Sequence, residues 1–371
     1  MLWLVLFCLG VFNPVWGEVQ QLQRAREIIN RHYMEPIDEA ALTEKLLITM
    51  VEFLEDEWAT YLTQAEYEEI QRRNENRFQG IGTRSVRDEY TNEWIVSETM
   101  PGSPAEEAGL RSGDTIVTIE GISTGLQTDQ ERAEIISSNY GGSVNLEVRD
   151  LAGEMRTVVV EVRAFDVNPV AFEMLEDNIG YVRIYNFRRP SGRETIAAIE
   201  TLQEEGAEGI VFDVRNNPGG GVNEVTQVLD RLLPEGEIFV YADYAGQETE
   251  IIYSDTEYLD MPIVVLINEN SASAAEYFAA VLQEFNQKME CDTITIVGVQ
   301  TTGKGRSQQT HSLPRGGAIR LSTARYLTPR RRDLQEGERE ERGVRPDVKE
   351  ADEDFQLEKA IQILIGKLIL S

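Results

Sequence analysis

Short apolar runs alternate with helical patterns through the carboxyl-terminal half of the chain. Ile179–Tyr185, Ile210–Val214 and Ile263–Ile267 have the length and the β-branched content of strands. Between the first two, Thr195–Gln203 carries its isoleucine and leucine residues at helical spacing. Such alternation is typical of an α/β domain, and it limits the possible folds more than any other feature of the sequence.

Two other patterns precede this domain. Residues 19–73 are rich in charge and place their apolar residues on one face of a helix. From Phe78 to Phe165 the apolar runs are short, alternate with polar residues and are separated by glycine and aspartate turns, which favours strands. We therefore predict a helical N-terminal region at 18–75, a mostly-β domain at 76–165 and an α/β core at 166–371.

The first 17 residues resemble a secretory leader. Leu2–Trp16 is an apolar run followed by the small residue Gly17, although no positively charged residue precedes it. The run is shorter than the ~20 residues that a membrane-spanning helix needs. We expect a signal peptide at 1–17 and an extracytoplasmic protein, periplasmic or secreted. An uncleaved leader would instead associate the protein with a membrane.

Charge and cysteine content exclude several classes of protein. The formal net charge is −30, from 65 acidic and 35 basic residues, which argues against nucleic acid or anionic lipid as a partner. Cys8 lies in the leader, so the mature chain keeps only Cys291. One cysteine allows neither an intramolecular disulfide nor a cysteine-ligated metal cluster. We expect no metal and no other cofactor.

Ser273 is the candidate nucleophile. It lies in N268-E-N-S-A-S-A-A-E276, where the apolar run Pro262–Asn268 gives way to a helical pattern. A helix N-terminus offers unpaired N–H groups and the positive end of a dipole, which stabilise an oxyanion. The same sequence fits a capping box, in which Ser273 and Glu276 only satisfy backbone donors of the helix. The segment alone favours neither role strongly.

The base that would activate this serine is not obviously a histidine. The chain has only His32 and His311, and a histidine triad would need His311 with Asp213 or Asp292. A buried lysine can do the same work, because burial lowers its pKa until the free amine accepts the serine proton. Lys304, between two glycines after a predicted strand, is the candidate.

Lys304 also allows two other interpretations. A lysine between glycines is commonly a solvated turn residue. In addition, G298-V-Q-T-T-G-K304 matches the spacing of a phosphate-binding loop. However, Gly305 replaces the serine or threonine that holds magnesium there, and 306–313 shows no helical apolar face.

A glycine-rich turn follows the strand predicted at Ile210–Val214. F212-D-V-R-N-N-P-G-G-G221 contains the tight-turn sequence N-P-G-G. Its functional interpretation is that the Gly219 amide faces Ser273 and donates an oxyanion hydrogen bond.

Five motifs, in this order along the chain, resemble those of the carboxyl-terminal processing proteases (tail-specific proteases, peptidase family S41). They are F212-D-V-R-N-N-P-G-G220, N268-E-N-S-A-S-A-A-E276, T301-T-G-K-G-R-S-Q308, A324-R-Y-L-T-P329 and G343-V-R-P-D-V348. The resemblance implies a protease core and assigns the site residues. They are the nucleophile Ser273 rather than Ser271, the general base Lys304, the orienting Gln308, and the oxyanion amides of Gly219 and Ala274.

The chain departs from the family around this site. The stretch between Ser273 and Lys304 is longer than the family commonly shows, and N286-Q-K-M-E-C-D-T293 has the composition of an inserted surface loop. Family members often carry an acidic residue at the position of Glu284, for which a structural role is equally consistent with its helical neighbours.

The mostly-β segment resembles a PDZ domain. F78-Q-G-I-G82 is similar to the carboxylate-binding loop, which implies peptide binding by Phe78, Gly80, Ile81 and Gly82. S103-P-A-E-E-A-G-L-R-S-G-D-T-I116 is similar to the helix, turn and strand that follow that loop. At I135-I-S-S-N-Y-G-G142 many relatives have a basic residue before the glycine, so the coupling between peptide binding and activation is expected to differ here.

These features predict an exported serine endopeptidase with an α/β protease core, a helical N-terminal segment and an inserted PDZ domain. Its substrates would be proteins or peptides with free C-termini, cleaved through an acyl-enzyme. A non-catalytic PDZ-containing scaffold that binds peptides is the alternative. The sequence leaves open whether an adaptor protein or a homo-oligomer controls access to the site.

Overall fold

A computed structural model describes residues 14–255, 257–289 and 293–370, with side chains described from residue 17 to 369 apart from Met289. Most of the predicted leader, and with it Cys8, lies outside the described residues, as do Cys291 and Asp292. Among the described helices, none combines the length with the apolar character that crossing a bilayer requires.

The described helices occur in the N-terminal region, in the mostly-β segment, in the core and at the C-terminal end of the described chain. In order they are α1 (Pro14–His32), α2 (Glu39–Glu52), α3 (Gln64–Asn74), α4 (Pro104–Glu107), α5 (Asp129–Ser138), α6 (Ser191–Glu204), α7 (Val222–Leu232), α8 (Ala274–Met289) and α9 (Glu353–Leu370).

The strands fall into four sheets. In chain order they are β1 (Thr60–Leu62), β2 (Arg77–Gly80), β3 (Thr83–Arg87), β4 (Trp94–Thr99), β5 (Thr115–Ile119), β6 (Ile122–Ser123), β7 (Ser143–Arg149), β8 (Met155–Glu161), β9 (Arg163–Asp166), β10 (Val170–Met174), β11 (Ile179–Ile184), β12 (Gly209–Asp213), β13 (Gly236–Ala242), β14 (Glu248–Ser254), β15 (Ile263–Ile267), β16 (Ile294–Gly298), β17 (Arg306–Ser312), β18 (Ala318–Leu327) and β19 (Val348–Lys349).

The main sheet has the strand order β10-β11-β12-β15-β16-β19, and all its pairs are parallel except β10 with β11. Helices α6, α7 and α8 cover one face, and α9 covers the other. Consecutive residues of β12 face opposite layers, with Phe212 against α8 and Val211 against α9. Burial on both faces explains why these strands are continuous apolar runs rather than alternating ones.

A second sheet, of order β1-β18-β13-β14 with β17 paired to β18, brings the N-terminal region to the core. β1 pairs with β18 through Thr60–Arg320 and Leu62–Ala318. Tyr326 of β18 and Phe239 of β13 reach the same apolar cluster as α8. The short strand β1 does not stand out in the helical pattern of residues 19–73, because only pairing with a distant strand stabilises it.

The mostly-β segment forms a separate sheet of order β3-β4-β5-β7-β8, with β6 on β5, around its own apolar cluster. The two-stranded ribbon β2–β9 lies at the two ends of this segment. The strand character predicted between Phe78 and Phe165 is confirmed. Strands β3 and β8 are the two edge strands of this sheet.

The α/β prediction is confirmed by β11, α6, β12 and β15, whose bounds differ by a few residues from the sequence-based ones. The loop predicted at 286–293 is wrong in its first half, because α8 continues to Met289. Asn286 then accepts hydrogen bonds from the backbone of Thr293 and Ile294 at 3.1 and 3.0 Å. The extra residues therefore lengthen the helix as well as the connection. The charged segment 330–342 nevertheless buries Asp333 and Leu334.

Candidate active site

Three connections leave the carboxyl ends of neighbouring parallel strands in the main sheet. Gly219 follows β12, Ser273 follows β15 and Lys304 follows β16. In open α/β sheets this edge is where ligands bind. We call residues 268–276 the nucleophile turn and residues 299–308 the base loop.

The nucleophile turn holds Ser273 in a left-handed conformation, with φ 57°. Helix α8 begins one residue later, at Ala274. A non-glycine residue in this region is strained by about 1–3 kcal/mol, and such strain concentrates at functional sites. The Ser273 side chain is partly exposed at the sheet edge. Ser273 is therefore presented at the start of a helix, as the sequence predicts.

The capping interpretation of Ser273 is only half fulfilled. Its backbone N–H donates to Glu276 Oε2 at 2.7 Å, as in a capping box. Its hydroxyl makes no hydrogen bond within the described part of the chain and lies beside the hydroxyl of Tyr326. Tyr326 donates its own proton to the carbonyl of Lys304. The serine hydroxyl is thus not used to cap the helix.

Ser271, the first serine of the motif, is fully buried and committed to the fold. Its hydroxyl donates to the carbonyl of Val214 at 2.8 Å and accepts from the backbone N–H of Asn268 at 3.0 Å. These bonds fix the nucleophile turn against the end of β12. A hydroxyl used in this way is unsuited to attack a substrate.

Glu276 joins the nucleophile turn to the base loop. Its Oε2 accepts from Ser273 N–H at 2.7 Å and from Lys304 N–H at 2.9 Å. Its Oε1 accepts from Thr301 Oγ1 at 2.6 Å and from Gly303 N–H at 2.5 Å. Burial raises the pKa of Glu276, against the opposing effect of these four hydrogen bonds. The sequence suggested only a capping role for Glu276, and it contained no signal for the bonds to the base loop.

Lys304 lies partly buried at the edge of the sheet. Its Nζ donates to Gln308 Oε1 at 2.8 Å and lies 4.4 Å from the centre of the Trp58 ring. Burial is the main cause that lowers the pKa of Lys304, and the nearby charge of Arg320 lowers it further. The carboxylate of Glu276 acts in the opposite direction. A lysine with a lowered pKa can supply a free amine.

The structure brings Ser273, Lys304 and Gln308 into one site, but it does not join the first two directly. Among the described residues, Lys304 Nζ has no hydrogen bond to the Ser273 hydroxyl, which lies beside that of Tyr326. The connection runs through the backbone amides on Glu276.

The glycine turn after β12 packs directly on the nucleophile turn. A side chain at Gly219 would lie 2.7 Å from the carbonyl of Ala272 and 2.9 Å from the amide of Ala274, and its φ is +91°. Only glycine suits both conditions. In this structure the Gly219 N–H donates to Asn217 Oδ1 at 2.8 Å. The Ala274 N–H has no hydrogen-bond partner in the described part of the chain.

The other candidate residues lie away from this site or are engaged elsewhere. His311 is exposed on β17. Asp213 binds Arg215 at 2.6 Å and the hydroxyl of Tyr181 at 2.7 Å. Glu284 is buried and accepts from Thr328 Oγ1 at 2.7 Å, which is a structural contact. The residues after Lys304 form a strand, so the phosphate-binding loop, which needs a helix there, is excluded.

The segment predicted to bind peptide carboxylates, residues 78–82, spans the end of β2 and the turn into β3. Phe78 stacks on Phe165 with ring centres 5.9 Å apart, and Ile81 is buried. Gly80 and Gly82 have φ values of 129° and 83°. The N–H groups of Ile81 and Gly82 have no hydrogen-bond partner among the described residues. Two consecutive free amides beside the edge strand β3 form a suitable receptor for a carboxylate and an added peptide strand.

Comparison with known proteins identifies the family. A family model described as peptidase family S41 matches residues 178–350, and one described as a PDZ domain matches residues 95–150. The carboxyl-terminal-processing protease of Picosynechococcus sp. is 30% identical over 302 residues, which cover 80% of this chain and 70% of that protein.

Two further proteins support the same family assignment. The carboxy-terminal processing protease CtpA of Bacillus subtilis (strain 168) is 28% identical over 335 residues, 90% of this chain and 69% of that protein. The solved structure of a photosystem II D1 C-terminal processing protease superposes with a TM-score of 0.56 at 26% identity, covering 92% of this chain and 90% of that one. The chain therefore belongs to peptidase family S41, as a carboxyl-terminal processing protease with a PDZ domain.

Proposed function

We propose that this protein is an exported serine endopeptidase in which Ser273 is the nucleophile and Lys304 the general base. One observation carries the proposal: the backbone amides of Ser273 and Lys304 donate to the same oxygen of Glu276, at 2.7 and 2.9 Å. A shared buried carboxylate fixes the separation of the two backbones. The lowered pKa of Lys304 supports the role of a base, because a neutral amine is needed to accept the serine proton.

Acylation begins when the Ser273 hydroxyl turns toward Lys304. Its oxygen attacks the substrate carbonyl carbon while its proton passes to Lys304 Nζ. As the tetrahedral intermediate collapses, the carbon–nitrogen bond breaks and the ammonium returns the proton to the departing amine. Water then attacks the ester carbonyl carbon and gives a proton to Lys304. As the second tetrahedral intermediate collapses, the bond from carbon to Ser273 Oγ breaks, the ammonium returns the proton to that oxygen, and the new carboxyl terminus leaves. Gln308 holds the amine in place during these transfers.

The oxyanion would be bound by the N–H groups of Gly219 and Ala274. The Ala274 N–H is available at the start of α8, and the dipole of this helix adds to the stabilisation. The Gly219 N–H donates to Asn217 Oδ1 in this structure. The proposal therefore requires that the Asn217 side chain release this donor when the substrate binds.

The PDZ domain would capture the C-terminus of the substrate on the amides of Ile81 and Gly82, while the peptide adds to strand β3. We place this domain at 76–165, inserted between the helical region at 18–75 and the core at 166–371. The pairing of β2 with β9 supports insertion, because it brings the two ends of the segment side by side. Residues 1–17 would direct the protein out of the cytoplasm.

The test uses a purified protein and a peptide with a free C-terminus, with cleavage followed by mass spectrometry. Ser273→Ala and Lys304→Ala should each abolish cleavage, whereas Ser271→Ala should retain it if folded. An amidated peptide should be cleaved less efficiently because it lacks the carboxylate. Full cleavage by folded Ser273→Ala would refute the dyad. If the wild type binds the peptide but does not cleave it, the alternative of a non-catalytic, peptide-binding scaffold would be favoured instead.

A further inference from the structure

The connection between α2 and β1 enters the candidate active site, although it lies about 250 residues from the base loop. The ring of Trp58 lies 4.4 Å from Lys304 Nζ. The backbone carbonyl of Trp58 accepts a hydrogen bond from Gln308 Nε2 at 2.6 Å. Gln308 Oε1 in turn accepts one from Lys304 Nζ at 2.8 Å. One residue therefore contacts both the base and the side chain that orients it.

Trp58 is held in this place by bonds on either side of it. Glu57 Oε1 accepts from Gln335 Nε2 at 2.9 Å, and Gln335 Oε1 accepts from the N–H of Gly305 at 3.2 Å. Following Trp58, β1 pairs with β18, the partner of the strand that carries Gln308. The segment is thus fastened to the base loop and to the hairpin β17–β18.

The Trp58 ring is not placed by a hydrogen bond of its own. Its Nε1–H is buried and has no acceptor among the described residues. A buried donor without a partner is unfavourable, so other contacts must compensate for it. Among the described residues, the polar contact of the Trp58 ring is with the ammonium group of Lys304. This predicts that a phenyl ring, which lacks the N–H group, can replace the indole.

The charges facing Lys304 come from three other elements. Arg320 of β18 disfavours the ammonium, whereas Glu276 of α8 and the α2–β1 residues Asp56 and Glu57 favour it. Burial outweighs the effect of the three carboxylates, so the pKa of Lys304 is lowered overall. An aromatic face attracts a cation, yet the same ring excludes water from it. Removal of the ring should therefore admit water and stabilise the ammonium.

We propose that Trp58 is a positioning residue that shields Lys304 from water and holds Gln308 against it. The N-terminal region thus completes the active site of the core. The proposal rests on the proposed role of Lys304 as the base, but the state of Lys304 can be measured without reference to catalysis.

The first experiment measures the pKa of Lys304 by competitive labelling with acetic anhydride, with the modified peptide quantified by mass spectrometry. Trp58→Ala should raise this pKa by about one unit, since it removes much of the burial. Trp58→Phe should leave it unchanged. Leu62→Ala, which removes buried apolar atoms shortly after Trp58 in the chain but keeps the backbone pairing of β1 with β18 and does not touch Lys304, is the matched control and should also leave the pKa unchanged. Trp58→Gln should raise the pKa in the same way, and it is the variant to measure if Trp58→Ala does not fold.

The second experiment is the pH profile of kcat/KM for peptide cleavage. In Trp58→Ala the acid limb should move to higher pH and kcat should fall about tenfold at neutral pH, with KM little changed. Trp58→Phe should restore the wild-type profile. An unshifted pKa in both Trp58→Ala and Trp58→Gln would overturn the inference. Wild-type activity in Lys304→Ala would overturn the proposed function instead, whatever Trp58 does to the lysine.

Discussion

The nucleophile turn and the base loop meet in one site but are held in different ways. Ser273 is fixed by neighbours in sequence, through the start of α8 and Glu276 three residues on. The base loop depends on distant segments, since Trp58 and Gln335 contact it and Val344 accepts from the N–H of Thr301 at 3.1 Å. Local hydrogen bonds therefore hold Ser273 at the helix start, and Ser271 anchors the rest of the nucleophile turn to the end of β12, whereas the base loop is held by segments far away in the sequence.

Glu276→Gln should have the largest effect on activity, because it disturbs the nucleophile turn and the base loop at once. Glu276 accepts four hydrogen bonds, two on each carboxylate oxygen. In the glutamine variant one of these oxygens becomes an NH₂ group, which cannot accept, so two of the four donors lose their acceptor. We expect kcat/KM to fall by more than about 10²-fold, since a misplacement of one reacting group by about 1 Å can already cost that much and both groups are displaced here. The unpaired donors should lower the free energy of unfolding by about 1–3 kcal/mol.

Glu284→Gln is the matched control for this variant. It changes a second buried carboxylate of α8, one that binds Thr328 and Arg330 away from the site. Thermal melts of both variants should show a loss of stability, but only Glu276→Gln should lose its activity. Equal activities in the two variants would show that Glu276 does not link the nucleophile to the base.

Gly219→Ala tests the nucleophile turn alone. The new methyl group would press on Ala272 and on the amide of Ala274, at a φ of +91°. Displacement of oxyanion donors typically costs about 10²-fold or more in kcat. Gly206→Ala has a similar φ, +95°, with open space around it, so it controls for backbone strain. Single-turnover cleavage should be slow in the first variant and normal in the second.

The pH dependence of kcat/KM tests the base loop. The pKa of Lys304 is lowered, chiefly by burial, so the active free amine persists below the ordinary lysine range of about 10.4. Below the lowered pKa the amine is protonated, and activity should fall about tenfold per pH unit. Circular dichroism over the same range would exclude unfolding as the cause. An acid limb at the ordinary lysine pKa would contradict this assignment.

Gln308→Ala should have the smallest effect. It removes one hydrogen bond to Lys304, worth about 1 kcal/mol, and so should reduce kcat roughly five- to tenfold. KM should not change, because Gln308 holds the base and not the substrate. Gln309→Ala, on the exposed next residue of β17, is the control. A change in KM alone would indicate that Gln308 binds the peptide.

Much of the core fold follows from the sequence, because strands buried on both faces are long apolar runs and α6 has a helical period. The mostly-β segment was equally apparent from its alternation and turns. What could not be predicted was β1, whose three residues form a strand only through pairing with β18. The extension of α8 to Met289 was also missed, since its last turn is polar and resembles a loop.

The sequence by itself determined which residues are candidates for the chemistry: a serine at a helix start and a lysine between glycines, in a chain with only two histidines. Local patterns record such features, because turns and helix starts depend on near neighbours. Only the tertiary structure decided that Glu276 joins both parts and that the Trp58 ring lies against the lysine. These contacts connect residues far apart in sequence, and burial, which sets the pKa of Lys304, exists only once the layers have packed.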